Sequence, residues 1–359
     1  MTHVLYVSYD GIGEPLGRSQ VLAYLSRLAR DHRITLVSFE KQPPPASLRA
    51  ELRDAGIEWR PLAYHRRPPV LSTALDVWRG RRELGRVERP DVVHVRSDVP
   101  ALIAHRLRAP LLFDIRGFWA DERVEGGIWR AGGALYRLAR RCEARFYARA
   151  AAVVTLTEAS VPQIHAWTDA PVEVIPTCVD HAAFAQTAPR PDGPRAVWSG
   201  SIGTWYRFDL APQLAAALDM PLTVLTRQTD EARRATDDVR TVAPQEMPRA
   251  LHAGDVGLCL VVSTPSKRAS APTRFAEFLA AGMPVAVTPG VGDLETLVTE
   301  HAVGVVVRDD LRQAAAELRA LLADPGLGAR CRRLAAERFD VDWGARRYAE
   351  LYARIGGRT

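Results

Sequence analysis

The stretch HVLYVSYDGIGEPLGRSQVLAYLSRLARDHRITLVSF (residues 3–39) decides the fold class. It holds two short apolar runs, 3–9 and 33–39, separated by a glycine-rich loop and a helix-length segment over 17–30. Short apolar runs rich in β-branched residues predict buried strands, and apolar residues at helical spacing predict a covering helix. A strand, a helix and a second strand in this order predict a parallel sheet in an α/β domain.

The same alternation continues along the 359-residue chain in two series. In the first, further strands are predicted at 57–62, 91–95, 110–115 and 152–157, with helices at 46–55, 71–87, 99–107, 127–150 and 158–167. The second follows a proline-rich bridge, TAPRPDGPR (187–195), with strands at 195–200, 221–226, 256–262, 284–288 and 303–307. Two series predict two doubly wound domains, whose ligands bind beyond the carboxyl ends of the strands. The cleft between two such domains is the expected site.

Composition and charge limit the function classes. The chain is 47% hydrophobic and 25% charged, which is typical of a globular protein. The four cysteines form no CxxC pair, which predicts free thiols, and the N-terminus enters a strand directly, which predicts a cytoplasmic protein without a signal peptide. Of the net charge of +6, residues 1–180 carry +5. We interpret this excess as solvated helix faces; peripheral contact with an anionic membrane is the alternative, and nucleic acid is not an expected partner.

A second stretch, STPSKRASAPTRFAEFLAAGMPV (263–285), places cations where a helix is predicted to begin. Pro272 suits the first helical position, which makes Ala271 the predicted cap. An alanine cap leaves backbone amides without a side-chain acceptor, and a helix start disfavours cations. The three cations at this helix start are Lys267, Arg268 and Arg274.

A bound phosphate would explain both features of this helix start. It would accept hydrogen bonds from the amides near Thr273 and pair with the cations, while Glu277, one turn further on, would accept ribose hydroxyls. The alternative is a surface ion pair between Arg274 and Glu277, which are three residues apart. We favour the phosphate because amides, cations and Glu277 converge.

Other candidate residues follow predicted strands. In the second series these are Gly200, Ser201, Gly203, Thr204 and Arg227. In the first series they are Gly13, Glu14 and Gly17 in the glycine loop, the strand-end residues His94, Arg96, Asp114 and Arg116, and Asp121 and Glu122 in the loop after them. The glycine loop favours contact with a sugar or phosphate over a dinucleotide site in which Glu40 would bind ribose. For His94 the alternative is a satisfied core histidine, and for Asp114 it is an ion pair that fixes the loop.

Several motifs resemble the retaining glycosyltransferases of family four, which have the GT-B fold. APTRFAEFLAAGMPVAVTPGVGD (271–293) resembles their nucleotide-sugar motif, and GEPLGRSQVLAYLSRLA (13–29) resembles their N-terminal glycine loop and helix. VVTLTEASV (153–161) and VIPTCVD (174–180) resemble the end of their first domain. The resemblance covers essentially the whole chain.

The chain departs from the family pattern at three places. The family has two glutamates with seven residues between them; Glu277 matches the second, which binds ribose, but Ala269 stands where the first should be. Ser201 and Tyr206 lie where the family often has an arginine and a lysine that hold the diphosphate. Arg116 falls near the position of the family's cleft histidine, and His94 aligns with a strand-end histidine of some members.

The resemblance implies two Rossmann-like domains facing each other across a cleft. Residues 1–180 would bind the acceptor and 181–340 the donor, while a helix over 341–359 would cross back to the first domain. The implied activity is retaining, metal-independent transfer of a sugar, with no cofactor and with a UDP- or GDP-sugar as co-substrate. The acceptor would be a saccharide or a lipid-linked precursor of a cell-surface polysaccharide or glycolipid, at the inner face of the membrane.

Two alternatives to transfer stay open at the sequence level. One is a nucleotide-sugar epimerase or hydrolase of the same architecture, with His94, Asp114, Asp121 and Glu122 as acid/base groups. The other is a catalytically silent nucleotide-sugar-binding partner, for which Ala269 is the best support.

Overall fold

The computed structural model describes residues 1–185 and 193–357, so residues 187–192 of the predicted linker lie outside the described part. The chain divides into two compact units. The first unit contains residues 1–175 together with the chain from Val341 onward, and the second contains 176–340.

The first unit is a seven-stranded parallel sheet covered by helices. Its strands are β1 (His3–Ser8), β2 (Arg33–Glu40), β3 (Ile57–Ala63), β4 (Val92–Arg96), β5 (Leu111–Asp114), β6 (Ala150–Thr155) and β7 (Val172–Val174). They lie in the order β3-β2-β1-β4-β5-β6-β7. The helices are α1 (Pro15–Gly17), α2 (Ala23–Leu28), α3 (Ala46–Asp54), α4 (Leu71–Leu84), α5 (Asp98–Ala104), α6 (Trp119–Glu125), α7 (Ala134–Arg149) and α8 (Val161–His165). A π-helical turn over Arg18–Leu22 joins α1 to α2, and a 3₁₀ turn over Glu158–Ser160 precedes α8.

The second unit is a six-stranded parallel sheet in the order β10-β9-β8-β11-β12-β13. Its strands are β8 (Ala196–Ser199), β9 (Leu222–Leu225), β10 (Val239–Arg240), β11 (Val256–Cys259), β12 (Val285–Val287) and β13 (Gly304–Val306). Its helices are α9 (Leu210–Leu218), α10 (Thr229–Ala232), α11 (Met247–Leu251), α12 (Thr273–Ala280), α13 (Leu294–Glu300), α14 (Leu311–Leu322) and α15 (Leu327–Arg338). Short 3₁₀ helices cover His181–Ala185, Pro244–Glu246 and Pro265–Ala269.

The last helix, α16 (Val341–Gly356), belongs to the first unit. It packs against α2, β4 and β6 of that unit. Its side chains Tyr348 and Tyr352 are buried there, so the end of the chain completes the hydrophobic core that residues 1–175 begin.

The α/β fold with two doubly wound units is confirmed. The short edge strands β7 and β10 were not predicted, because two or three residues give no periodic signal. The helix predicted over 127–150 is wrong at its start, since α7 begins at Ala134. Gly127 and Gly132 before it have positive φ angles of 70° and 65°, which interrupt a helix.

Two smaller predictions are also corrected. The segment 118–123, expected to be a loop, is largely α6, which begins at Trp119. Pro272 is the N-cap of α12 rather than its first helical residue, and no side chain caps this helix.

Candidate functional site

The candidate residues of the second unit follow three neighbouring strands, β9, β8 and β11. Carboxyl ends of parallel strands meet at one edge of a sheet, so the loops after them share that edge. The loop after β8 contributes the exposed residues Gly200, Ser201, Gly203 and Thr204. Arg227 is exposed after β9, and the segment after β11 leads through Lys267 and Arg268 to Thr273, Arg274 and Glu277.

Arg274 is the unusual member of this group. Its side chain is 7% exposed, and its guanidinium carbon lies 4.3 Å from the centroid of the Tyr206 ring and 4.9 Å from that of Trp198. The buried Nη1 atom makes no hydrogen bond, and among the described residues no carboxylate lies within salt-bridge distance of Arg274. Stacking on two aromatic faces stabilises a cation, but it leaves hydrogen-bond donors for an anion.

Gly200 allows Arg274 to reach the loop after β8. A Cβ atom at Gly200 would lie 2.7 Å from Nη2 of Arg274, and the φ angle of Gly200 is +96°. Only glycine fits both the backbone conformation and the contact. The guanidinium of a residue on α12 therefore lies directly against the glycine loop.

The remaining cations differ in exposure. Lys267 is buried, with Nζ 4.0 Å from the centroid of the Trp205 ring, whereas Arg268 and Arg227 are exposed. The carbonyl of Lys267 accepts a hydrogen bond from the amide of Gly292, which ties this segment to the loop after β12. The cations of the sequence motif thus occupy one edge of the sheet at different depths.

Glu277 is half-buried on the same helix as Arg274. Burial raises the pKa of its carboxyl to about 7, although the nearby charge of Arg274 acts to lower it. The two side chains form no ion pair, so the surface pair considered as an alternative is wrong. A carboxyl poised near neutrality beside an unpaired guanidinium is suited to binding a polar ligand.

The glycine loop of the first unit is closed by an internal carboxylate. Glu40 is buried and accepts hydrogen bonds from the amides of Ile12 (2.9 Å) and Gly13 (3.2 Å). A Cβ atom at Gly17 would lie 2.0 Å from the carbonyl oxygen of Gly11, so this turn requires glycine. Because Glu40 occupies the amides that a pyrophosphate would need, the dinucleotide interpretation is not supported. Glu14 pairs with Lys41 at 2.7 Å.

Asp114 at the end of β5 is the centre of a buried polar cluster. It accepts hydrogen bonds from Nε2 of His94 (3.3 Å) and from the Tyr348 hydroxyl (3.1 Å), and Nη1 of Arg116 lies 3.2 Å away. Burial alone would raise the pKa of Asp114, but Arg116 and His94 together hold it below its ordinary value. Arg96 is buried and pairs with Asp10 at 3.1 Å.

His94 is a satisfied core residue. Its side chain is 1% exposed, and Nδ1 lies 2.6 Å from the Tyr352 hydroxyl while Nε2 faces Asp114. Burial lowers the pKa of His94, although the hydrogen bond that Nε2 donates to Asp114 acts to raise it. The catalytic role predicted for His94 does not fit this position, because neither ring nitrogen is accessible to a substrate. Arg116 is the strand-end residue of this cluster that keeps partial exposure.

Asp121 and Glu122 lie on α6 rather than in a loop. Asp121 accepts a hydrogen bond from the Tyr136 hydroxyl at 2.8 Å. Glu122 lies against Gly117, where a Cβ atom would be 3.2 Å from Oε1. Both side chains are half-buried, so they help to fix the start of α6 after β5.

Comparisons with known proteins agree with this architecture. Residues 18–178 match the model of the glycosyl transferase 4-like domain, and residues 209–353 match that of the glycosyl transferase-like domain. The two matches together cover most of the chain, which therefore belongs to the glycosyltransferases. No curated protein matches it by sequence.

Solved structures similar to this glycosyltransferase-family chain share its GT-B fold. HepE from Anabaena, in complex with UDP and glucose, is 16% identical, with a TM-score of 0.68 and coverage of 99% of this chain and 100% of that one. Sucrose-phosphate synthase from Thermosynechococcus elongatus is 14% identical, with a TM-score of 0.72 and full coverage of both chains. WaaG, a glycosyltransferase involved in lipopolysaccharide biosynthesis, is 14% identical, with a TM-score of 0.69 and coverage of 97% and 99%.

Two departures from the family pattern have a physical explanation in the structure. Ala269 is fully buried at the end of the 3₁₀ helix Pro265–Ala269, so its position leaves no room for a solvated carboxylate. The loop after β8 lacks the family's cations at Ser201 and Tyr206, but Arg274 reaches this loop from α12 and stacks on Tyr206. The positive charge is therefore supplied by a different element.

The sequence did not predict two sets of contacts at the loop after β8: those of Gln228 with the loop and those of two aromatic rings with Arg274. The Gln228 side chain makes two hydrogen bonds with the backbone of Ile202. Its Oε1 accepts from the Ile202 amide (2.7 Å), and its Nε2 donates to the Ile202 carbonyl (2.6 Å). Trp198 and Tyr206 support Arg274. The stretch WSGSIGTWY (198–206) contains both aromatic residues. Their contact with a helix that begins at residue 273 cannot be predicted from the spacing of neighbouring residues.

Two features are absent from the described part of the chain. Within residues 1–185 and 193–357, no three His, Cys, Asp or Glu side chains are grouped so that they could hold a metal ion. Within the same ranges, no helix combines the length and the apolar character needed to cross a bilayer.

Proposed function

We propose that this protein is a retaining glycosyltransferase that moves a sugar from a UDP- or GDP-sugar to an acceptor hydroxyl. The observation that carries the proposal is Arg274, a buried cation with an unpartnered Nη1 against the glycine loop of the second unit. A buried charge without a partner is costly, and a bound anion would offset that cost. A nucleoside diphosphate is an anion that suits this edge of the sheet.

In this proposal the second unit binds the donor. Arg274 and the uncapped amides at the start of α12, near Thr273, hold the diphosphate, and the glycine loop allows close approach of the phosphates. Lys267, Arg268 and Arg227 add positive charge at the same edge. Glu277 accepts hydrogen bonds from the ribose hydroxyls, which favours its charged form and lowers its raised pKa.

The donors at this edge also serve the chemistry. Negative charge grows on the leaving diphosphate as the bond to the sugar breaks, and fixed cations and amides stabilise that charge without reorganising. Retention of configuration without a metal, and help from the leaving phosphate in deprotonating the acceptor, rest on the resemblance to family four. The first unit would bind the acceptor through its glycine loop at Gly13 and through the partly exposed Arg116.

The acceptor class also rests on the family resemblance. A saccharide or lipid-linked precursor in polysaccharide or glycolipid synthesis would bring the protein to the inner face of a membrane, where the basic excess of residues 1–180 fits an anionic surface. The HepE structure contains UDP and glucose, which supports UDP as the first nucleotide to test here.

The epimerase alternative loses support from the structure. It requires accessible acid/base groups, but His94 and Asp114 are buried and bonded to each other. Of its two other candidates, Asp121 is bonded to Tyr136, which leaves Glu122 as the group to test. The experiment that separates the alternatives is incubation with each UDP- or GDP-sugar, first alone and then with saccharide acceptors, with products resolved by NMR. Transfer with the donor's anomeric configuration supports the proposal, whereas an epimerised donor without acceptor, or no reaction of any donor that binds, contradicts it.

A further inference from the structure

Helix α4 presents an apolar stripe to solvent, while its buried face contains polar residues as well as Val77 and Leu84. Its outward positions in the first three turns are Leu71, Ala74, Leu75 and Trp78, and the exposed fractions of the three large side chains are 68%, 42% and 57%. Its inward positions include Ser72 and Asp76, which are buried. A surface helix of a globular protein normally presents polar residues to water, so an apolar outward stripe at this spacing indicates a partner.

The buried carboxylate on the inward side of α4, Asp76, is satisfied by hydrogen bonds. The carboxylate of Asp76 accepts hydrogen bonds from the Tyr9 hydroxyl (2.8 Å) and from the amide of His65 (3.1 Å). Gly80 packs closely on α5, where a Cβ atom would lie 2.9 Å from Cγ2 of Ile103. The inner face of α4 is therefore committed to the core, which fixes Leu71, Leu75 and Trp78 in the outward direction.

The segment that leads into α4 extends the same surface. Residues 66–71 read RRPPVL and are all exposed. Val70 has a φ angle of +67°, a left-handed conformation that is strained for a β-branched residue. The Val70 side chain is nevertheless exposed to solvent, three residues after Arg67.

Helix α7 presents a second surface of the same kind. Its exposed positions include Leu135 and Leu138, and Ile128 is exposed just before it. Helix α4 contacts α5, and α5 contacts α7. Right-handed crossovers also place these three helices on one face of the first sheet. We call the outward surface of residues 66–82 and 128–149 the α4–α7 face. Every large hydrophobic side chain that is exposed among the described residues belongs to the first unit.

The charges of the α4–α7 face all have one sign. Its exposed ionised side chains are arginines, namely Arg66, Arg67, Arg82, Arg130, Arg137, Arg141 and Arg145. The acidic residues in these ranges, Asp76 and Glu143, are both buried, and Glu83 at the end of α4 is half-buried and paired with Arg60 and Arg86. Apolar side chains flanked by arginines, with a tryptophan among them, are the composition of a surface that lies in the headgroup region of an anionic bilayer.

We propose that the α4–α7 face docks on an anionic lipid bilayer, with Val70, Leu71, Leu75 and Trp78 inserted between the headgroups. Association of a second copy through this face is disfavoured, because it would bring the two sets of arginines together without acidic partners. This inference deepens the membrane contact of the proposed function, and because its test uses no sugar donor, its failure is distinguishable from failure of the proposed transfer.

The test is flotation of the full-length protein with vesicles of phosphatidylcholine, or of equimolar phosphatidylcholine and phosphatidylglycerol, without any sugar donor. Binding is expected only to the anionic vesicles and is expected to weaken as salt is raised. Replacing Leu75 and Trp78 together by serine should weaken binding at least about tenfold. Replacing Arg66 and Arg67 by glutamine should weaken it roughly fivefold for each arginine.

The matched control removes the same charge elsewhere. Arg312 and Arg333 are exposed on α14 and α15 of the second unit, and their double glutamine variant should bind like the wild type. All changes are at exposed side chains, so circular dichroism and Tm should stay unchanged. The proposal is overturned by equal binding to neutral vesicles, by variants that bind undiminished, or by a dimer in solution that L75S/W78S dissolves.

Discussion

The two units differ in how the charge of their buried and half-buried arginines is neutralised. In the first unit, Arg116 pairs with Asp114 at 3.2 Å and Arg96 pairs with Asp10 at 3.1 Å. In the second unit, Arg274 is buried like Arg96 but stacks on two aromatic rings, and no carboxylate of the described residues pairs with it. Charge that is neutralised inside a unit stabilises that unit, whereas charge left unbalanced is available to a ligand. The comparison therefore assigns a structural role to the carboxylates Asp114 and Asp10, and anion binding to Arg274.

The largest expected effect comes from breaking the balanced cluster. Asp114→Asn keeps the shape of the side chain but removes the counter-charge of the half-buried Arg116 and of the neighbouring buried Arg96. We expect the free energy of unfolding of the first unit to fall by about 3–5 kcal/mol. Urea unfolding measures this change. Asp121→Asn, which alters a half-buried carboxylate bonded to Tyr136, should cost about 1 kcal/mol. Equal effects of the two variants would show that Asp114 is not the centre of the cluster.

The next effect is a pH dependence that comes from Glu277. Its pKa is about 7 in the folded protein against an ordinary value of 4.5, so the folded state binds the proton more tightly. The stability of the second unit should therefore fall as pH rises from 4.5 to 7, by about 2 kcal/mol. Glu277→Gln should remove this part of the slope, while Glu300→Gln, at an exposed position, should not. A slope that survives in the Glu277 variant would assign it to another group.

The smallest effect separates backbone strain from contact with Arg274. Gly200 and Gly203 both have positive φ angles, +96° and +134°, but only a Cβ atom at Gly200 would meet Arg274. Alanine at either site should cost about 1–2 kcal/mol of stability through strain. Only Gly200→Ala should also displace Arg274 and weaken binding of UDP, which titration of both variants would show. Equal loss of binding in the two variants would mean that strain in the loop, not Arg274, is responsible.

The fold could be predicted from sequence to a large extent. Strands such as 33–39 and the glycine turn at Gly17 have signals within a few residues, because apolar runs and tight turns are local features. The interruptions of the predicted helix at Gly127 and Gly132 could not be predicted, because the segment around them has a helical composition.

The candidate site was less predictable, because its properties depend on contacts between distant residues. The motif around Glu277 drew attention to Arg274, but not to its burial beneath Gly200 or its stacking on Tyr206. The strand-end position of His94 predicted a catalytic role, but the hydroxyl of Tyr352, 258 positions away, contacts its ring. Local spacing records which residue types are present, whereas burial and pairing are set by packing.

The central claim is that Arg274 binds the diphosphate of the donor. It is tested most directly by calorimetric titration of UDP and GDP into the wild type and Arg274→Met. The Met variant keeps an unbranched apolar stem but removes the guanidinium, and Arg312→Met, an exposed change in the same unit, serves as its control. We predict binding of at least one nucleotide by the wild type and the control, about 30-fold weaker binding by Arg274→Met, and unfolding free energies within about 1 kcal/mol of each other. Unchanged affinity in Arg274→Met, or no binding by the wild type, would contradict the account.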